Sequence, residues 1–272
     1  MCLIVFDWRP GATHGPLFTL AANRDEFFRR ATEPLGWWRA APQVLAGRDL
    51  EGGGTWLGLS RDGRFAALTN YRAPHEMRPG APTRGTLVSG YLTGTALPPL
   101  DYLQRVAERG SLYNGFNLLV GDFRRRELAW YCNRADTPPM LLPAGVHGIS
   151  NAVLDTPWPK LVRKRAELGA LVVGDRPAPL DALIELMRDT RVASDAELPA
   201  TGLPIERERA VSAAFIEMSD YGTRGTTALL VSADAARLAV EILERSDDDG
   251  SHRLMRPGNV ERRFAFDVEA SR

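Results

Sequence analysis

Strand-like segments open and close this chain, and helix-like segments lie between them. Apolar runs bounded by turn residues predict strands at 3–6, 17–22, 211–218, 225–232, 238–245 and 262–268. Because strands and helices do not alternate regularly, a doubly wound parallel sheet is excluded. The order predicts an α+β fold, a four-layer αββα sandwich of two antiparallel sheets between helix layers. We expect a single domain over residues 1–272, with the first strand central in one sheet.

Two hairpins are predicted in the first half of the chain. A strand after the glycine run 52–54 pairs with 64–70 across a turn at Asp62-Gly63, and 116–122 pairs with 127–132. Cys132 falls in the second hairpin and is expected to be structural. A loop is expected at 34–38, where two adjacent tryptophans either roof a pocket or plug the core.

Helices are predicted from apolar residues that recur with helical spacing. Two apolar stripes between Arg84 and Gly110 predict the first two helices. A third helix is predicted to begin at the Thr-Pro-Trp-Pro segment 156–159, and a fourth to cover about 180–189. Residues 193–207 are interpreted as irregular, and 247–250 as a solvated hairpin tip.

Composition excludes several classes of function. The formal net charge is zero, which does not favour nucleic-acid binding. The two cysteines lack CxxC spacing, so neither a zinc site nor a disulfide framework is expected, and a reducing compartment is the natural location. The apolar opening is interrupted by Asp7 and follows no basic segment, which argues against a signal peptide or a membrane span. We expect a cytoplasmic protein without integral membrane association.

The second residue is a cysteine, so removal of Met1 would place a thiol and a free α-amine on one residue. The α-amine has an ordinary pKa of about 8 and the thiol of about 8.5, so near neutral pH the amine can accept the thiol proton. Cys2 is therefore a candidate nucleophile with its own base. The alternative is a small apolar residue that opens a strand.

A polar run, Asn23-Arg24-Asp25-Glu26, follows the second predicted strand, and the loop 11–16 returns that strand beside Cys2. Such a run often marks a solvated turn. Here an arginine beside the thiol would favour the thiolate, and an aspartate beside the α-amine would orient it.

Six motifs occur in order along residues 1–232. They are Met-Cys-Leu-Ile at 1–4, Asn-Arg-Asp-Glu at 23–26, Gly-Gly-Thr-Trp-Leu-Gly at 53–58, Thr-Asn-Tyr-Arg at 69–72, Ser-Asn at 150–151 and Tyr-Gly-Thr-Arg at 221–224. As a set they resemble the NRDE family, also called the transport and Golgi organisation protein 2 family. More distantly, the arrangement is similar to N-terminal-nucleophile hydrolases of the choloylglycine hydrolase and penicillin V acylase type.

The acylase resemblance implies a set of catalytic residues. The matching positions are Cys2, Arg24, Asp25, Asn70, Asn151 and Arg209, with Arg224 as the competitor of Arg209. Arg24 and Asp25 are adjacent here, whereas the acylases separate these two residues, so either Asp25 or Glu26 would hold the α-amine. We expect Arg24, Asp25, Asn70 and Asn151 to surround Cys2 at the rim of a pocket partly lined by aromatic side chains, with Asn151 as the oxyanion donor.

Two functions are compatible with these residues. The first is a cysteine N-terminal-nucleophile amidohydrolase or thioesterase that acts on an amide or thioester of a small acyl or lipid-like substrate and requires no cofactor. The second is a non-catalytic intracellular carrier or chaperone for haem or acyl lipids, because the family resemblance implies haem trafficking. Haem would then be bound cargo, although the chain has no CxxCH and its histidines, His14, His75, His147 and His252, are scattered.

Overall fold

Two antiparallel sheets face each other in the computed structural model, which describes residues 2–234, 237–247 and 260–269. In chain order the strands are β1 (Cys2–Trp8), β2 (Gly15–Phe27), β3 (Thr32–Trp37), β4 (Val44–Asp49), β5 (Leu57–Ser60), β6 (Arg64–Asn70), β7 (Phe116–Asp122), β8 (Glu127–Cys132), β9 (Met140–Leu141), β10 (Gly145–Ile149), β11 (Tyr221–Asp234), β12 (Arg237–Ser246) and β13 (Val260–Glu269). The helices are α1 (Gly85–Thr93), α2 (Pro99–Ala107), α3 (Pro159–Leu171), α4 (Leu180–Leu186) and α5 (Ile205–Ala210). The first sheet has the order β10-β1-β2-β11-β12-β13, and the second has the order β3-β4-β5-β6-β7-β8-β9.

Side-chain alternation along β1 divides the interior into layers. Ile4, Phe6 and Trp8 point into the core between the sheets, whereas Leu3 and Val5 point into a second core under α3 and α4. A third core lies between the second sheet and helices α1 and α2. The molecule is therefore a four-layer αββα sandwich, and the predicted fold class is confirmed.

The β1–β2 hairpin sets the geometry of the chain start. Cys2 pairs with Arg24, and Leu3 pairs with Asn23. β1 lies between β10 and β2, so it is an interior strand but second from the sheet edge rather than central. The second strand is longer than predicted and includes the polar run, because β11 pairs with β2 as far as Phe27 and satisfies its backbone groups.

Residues 211–218 and 34–38 differ from the sequence-based prediction. Residues 211–218 contain turns and one isolated bridge instead of a strand, and their apolar residues are buried as a small local core beside α5. Most of the expected loop at 34–38 belongs to β3. Trp37 packs against Phe264 and Phe266 of β13, so it covers the core instead of roofing a pocket.

Most of the other predicted elements form, although α5 begins within the segment 193–207 that we interpreted as irregular, and β4 was not predicted. The hairpins β5–β6 and β7–β8 form as expected, and Cys132 is fully buried in the core between the sheets. The helical stripes become α1 and α2. Of the predicted tip at 247–250, only Asp247 lies within the described residues, and it is buried instead of solvated. No helix among the described residues is long and apolar enough to cross a membrane.

Candidate functional site

A cavity of about 150 Å³ lies between the two sheets at the end where β1 begins. The first sheet contributes Cys2, Arg24 and Arg224, and the second sheet and the start of α1 contribute residues that include Asn70, Trp56 and Arg84. Trp56 is the aromatic side chain among the described lining residues. The cavity thus opens where β1 and β2 carry polar instead of aromatic side chains.

Cys2 and Arg24 face each other across the β1–β2 ladder. As cross-strand partners they lie on the same face of the sheet, the face that borders the cavity. Cys2 is 8 % exposed and Arg24 is 9 % exposed. Among the described residues, no hydrogen bond or ion pair engages the Arg24 guanidinium. A positive charge therefore stands beside the thiol without a fixed internal partner.

Asp25 lies on the opposite face of β2, toward the helix layer, because adjacent strand residues alternate. Its Oδ1 accepts a hydrogen bond from Thr223 Oγ1 at 2.6 Å, and its backbone carbonyl accepts one from the Tyr221 hydroxyl at 3.0 Å. Its backbone N–H favours the ionised form of the Cys2 thiol and so lowers the pKa of that thiol, against the effect of burial. Residue 25 thus lies next to the cross-strand partner of Cys2, the first residue of β1.

Burial is the largest influence on the pKa values of both Cys2 and Asp25. It raises the pKa of the Cys2 thiol, and the Asp25 carboxylate acts in the same direction, whereas the Asp25 N–H and the Arg24 charge oppose them. Burial also raises the pKa of the Asp25 carboxyl, against the effects of Lys160, Thr223 and Arg24. The surroundings alone therefore do not activate the thiol as the sequence suggested, because desolvation of the thiolate outweighs the nearby positive charge.

The two predicted asparagines lie together but differ in position. Asn70 ends β6 and lines the cavity, whereas Asn151 does not. Asn151 Nδ2 donates to the Asn70 backbone carbonyl at 2.8 Å, and the neighbouring Ser150 hydroxyl donates to the Cys2 carbonyl at 3.3 Å. Of the two asparagines, Asn70 thus lies at the cavity, and Asn151 contacts its backbone.

Of the two candidate arginines, the structure places Arg224 and not Arg209 at the cavity. Arg209 lies on α5 and forms an ion pair with Asp195 at 2.7 Å on the surface. Its assignment rested on a strand at 211–218 that does not form. Arg224 is buried and pairs with Asp247 at 3.0 Å.

Sequence reasoning missed two other cations near Cys2. Arg84 precedes α1, lines the cavity and donates to the Gly115 carbonyl at 2.9 Å. Lys160, in the first turn of α3, is buried on the helix side of the sheet. The scarcity of lysine was the one available signal for Lys160, whereas the position of Arg84 depends on how the two sheets stack.

None of the described histidines lines this cavity, and His252 lies outside the described residues. The described part of the chain also has no cluster of three or more His, Cys, Asp or Glu side chains arranged to hold a metal ion.

Comparison with known proteins identifies the family. The model of the family described as Transport and Golgi organisation 2 matches residues 1–248. The chain belongs to this family. The human Transport and Golgi organization protein 2 homolog is 38% identical over 269 residues, which cover 93% of this chain and 96% of the human protein. The Drosophila melanogaster Transport and Golgi organization protein 2 is 30% identical over 256 residues, which cover 86% of this chain and 89% of the fly protein.

Two solved structures are similar to this member of the Transport and Golgi organisation 2 family. The Caenorhabditis elegans N-acylethanolamine-hydrolyzing acid amidase ortholog has a TM-score of 0.46 and 9% identity, with coverage of 84% of this chain and 92% of that chain. The C2A mutant of the conjugated bile acid hydrolase from Clostridium perfringens has a TM-score of 0.40 and 11% identity, with coverage of 98% and 92%. At these TM-scores neither likeness bears on function.

Proposed function

We propose that the Met1-trimmed protein is an N-terminal-nucleophile hydrolase that cleaves an amide or a thioester of a small acyl or lipid-like substrate through Cys2. The observation that carries this proposal is the position of Cys2. It is the first residue of β1, opens into a cavity and has Arg24 as its cross-strand partner and Asp25 behind it. A residue placed there only to fill the core would need none of these charged neighbours.

The proposed reaction uses the two groups of Cys2. The α-amine takes the thiol proton, and the thiolate attacks the carbonyl carbon of the substrate to form an acyl-thioester on Cys2. The leaving amine or thiol takes that proton from the α-ammonium. Water then attacks the thioester, releases the carboxylic acid and returns the thiol.

Met1 removal is essential to this mechanism because burial raises the pKa of the Cys2 thiol. A buried thiol that the surroundings do not ionise needs a local base, and the α-amine is on Cys2 only in the trimmed chain. Asp25, on the helix face of β2, is the group assigned to hold that amine. The thiol itself remains on the cavity face with Arg24.

Charge that develops on the substrate oxygen needs a donor within the cavity. We assign this role to the side chain of Asn70, since it lines the cavity beside Cys2. Asn151 would position it through the hydrogen bond to the Asn70 backbone carbonyl. We also propose a cytoplasmic location, because a free thiol nucleophile persists in a reducing compartment.

The test is turnover of a panel of N-acyl amides and acyl thioesters by protein whose intact mass shows that Met1 has been removed. We expect acyl transfer to residue 2, detected as a mass increase on rapid quenching. Cys2→Ala should abolish turnover with the fold intact, and Cys2→Ser should lose most of the rate because a hydroxyl is harder to deprotonate.

A matched control separates the thiol from its base. Insertion of one glycine between Met1 and Cys2 keeps the thiol on the strand but moves the α-amine to the new residue. The proposal requires this variant to lose turnover. Turnover that survives either this insertion or Cys2→Ala shows that Cys2 is not an N-terminal nucleophile.

The carrier function is the alternative outcome of the same experiment. It predicts that wild-type protein hydrolyses no member of the panel, whereas Cys2→Ala binds haem or acyl lipid as tightly as the wild type.

A further inference from the structure

Both lysines of the chain are buried on one face of helix α3. All other basic residues among the 34 Lys and Arg are arginines. Lys160 and Lys164 lie four residues apart and are 1 % and 2 % exposed. A buried lysine can lose its proton, whereas an arginine stays charged. The two positions therefore allow a comparison of the same residue type in the same helix.

Their electrostatic partners differ. Lys164 Nζ contacts Glu167 at 2.6 Å and Asp189 at 2.9 Å, so its charge is compensated directly. Lys160 Nζ donates to the Val211 carbonyl at 2.9 Å, and no carboxylate of the described residues lies within ion-pairing distance of it. A buried ammonium in this position is stabilised by charges farther away or it loses its proton.

The charge that most favours the protonated form of Lys160 is the carboxylate of Asp25. Burial lowers the pKa of Lys160 to about 8. The negative charges of Asp25 and, to a smaller extent, of the Cys2 thiolate raise this pKa, whereas the positive charges of Arg72 and Arg163 lower it further. Lys160 is in turn the strongest influence among the described side chains that favours the ionised form of Asp25. The two groups lie in the same layer because α3 packs on β1, and Asp25 alternates on β2 with Ala21, which belongs to the core under α3 and α4.

The surrounding polar groups are already committed to other partners. Arg72 and Glu208 form a buried ion pair at 3.1 Å. The Tyr221 hydroxyl donates to the Asp25 backbone carbonyl, and Thr223 donates to its carboxylate. The Arg72–Glu208 charges balance each other, and Lys160 is the cation of the described side chains that most favours the Asp25 carboxylate.

We propose that Lys160 is a positioning residue for the Cys2 site that acts through Asp25. Its ammonium keeps the buried carboxylate of Asp25 ionised, and the ionised carboxylate orients the α-amine that serves as the base. Without the ammonium, Asp25 either takes up a proton and no longer accepts from the amine, or remains ionised beside the thiol with less positive charge near it. Both outcomes slow formation of the thiolate at pH 7. The effect on Cys2 rests on the proposed function, whereas the coupling of Lys160 to Asp25 does not.

The first test needs no substrate and no substitution of Lys160. Protein labelled with ¹³C and ¹⁵N in lysine has two side-chain ammonium signals, and Lys164→Met assigns them. We expect the Lys160 signal to titrate near pH 8 and its midpoint to fall by about one pH unit in Asp25→Asn, with little change for Lys164. An Asp25→Asn midpoint equal to that of the wild type overturns the proposal.

The second test follows the reactivity of Cys2 in the Met1-trimmed chain. Lys160→Met should slow alkylation of Cys2 by iodoacetamide at pH 7 by about tenfold, the equivalent of one pKa unit. Lys160→Arg should retain most of the rate because it keeps the charge. Lys164→Met, in the same helix but paired with Asp189, serves as the control and should leave the rate unchanged.

The dependence on Asp25 separates a positioning role from loss of structure. In an Asp25→Asn background, Lys160→Met should change the alkylation rate by less than about twofold. The proposal is overturned if Lys160→Met and Lys164→Met slow the alkylation of Cys2 equally. It is also overturned if Lys160→Met slows alkylation as much in the Asp25→Asn background as in the wild type. If wild-type Cys2 is not alkylated at all, the proposed function fails, and the lysine titration still decides whether Lys160 and Asp25 are coupled.

Discussion

The two ends of the space between the sheets are built from the same strands, but one end is apolar and filled, whereas the other is polar and holds a cavity. At the end near the β1–β2 turn the space is filled by aromatic rings, those of Phe6, Trp8, Phe18, Phe65 and Phe123. The Phe18 ring lies 5.2 Å from the Phe65 ring and 5.3 Å from the Phe123 ring. At the other end the same strands carry Cys2 and Arg24 and leave a cavity.

This difference indicates that one end of the two strands contributes mainly to stability, whereas the other end holds the candidate site. Burial of aromatic side chains supplies much of the free energy of folding, since fully burying a large apolar side chain contributes about 1.5–3 kcal/mol. Polar groups at the cavity end cost desolvation, and the proposed reaction would account for them because it needs charge and space. Substitutions at the two ends should therefore have different consequences.

The largest expected effect is on stability at the aromatic end. Phe18→Ala should lower the free energy of unfolding by about 3–5 kcal/mol, because it removes a ring that is fully buried and leaves a cavity. Urea unfolding followed by tryptophan fluorescence measures this. Cys2→Ala is the control at the other end, and a loss as large as that of Phe18→Ala would contradict the division between the two ends.

The next effect concerns the charged scaffold of the cavity. Arg224→Met should lower the free energy of unfolding by about 3 kcal/mol, because it removes the guanidinium that forms an ion pair with the buried Asp247 carboxylate. The same unfolding measurement on Arg224→Met with Asp247→Asn should show a smaller loss than the single substitution. Equal losses in both variants would show that the arginine matters for packing and not for charge.

A smaller effect, on reactivity, is expected from Arg24. Arg24→Met should slow alkylation of Cys2 at pH 7 by about tenfold, since loss of the adjacent positive charge raises the pKa of the thiol further. Its free energy of unfolding should change by less than about 1 kcal/mol, because no described residue forms an ion pair with it. Arg48→Met, an exposed arginine of the same cavity, is the control and should alkylate at the wild-type rate.

The smallest expected effect depends on pH and lies outside the cavity. The hydrogen bond to Asp155 raises the pKa of His147, against the effect of burial. A raised pKa in the folded state stabilises the protein below the unfolded value of about 6.5, and this stabilisation is lost as the pH rises through the folded value. His147→Gln should therefore cost more stability at pH 5.5 than at pH 9 in thermal unfolding. A loss that does not depend on pH would mean that His147 is neutral in the folded protein.

Much of the architecture follows from patterns that are local in the chain. The predicted hairpins β5–β6 and β7–β8 and the helix α1 depend on turn residues and on apolar spacing within a few residues, which the sequence shows directly. The motif at 23–26 and the cysteine at position 2 were recognisable for the same reason, because each is a short run with its own chemistry. The pairing of Cys2 with Arg24 followed from the expected hairpin.

Positions that depend on distant segments were decided by the tertiary structure. Residues 211–218 are apolar as a strand would be, yet they pack as turns beside α5, since burial alone does not specify backbone conformation. Arg224 and not Arg209 reaches the cavity because β11 pairs with β2, and Asn70 and not Asn151 faces it because of how the sheets stack. Lys160 comes into the electrostatic range of Asp25 only through the packing of α3 on the first sheet. The two residues are 135 positions apart, and no local pattern encodes their proximity.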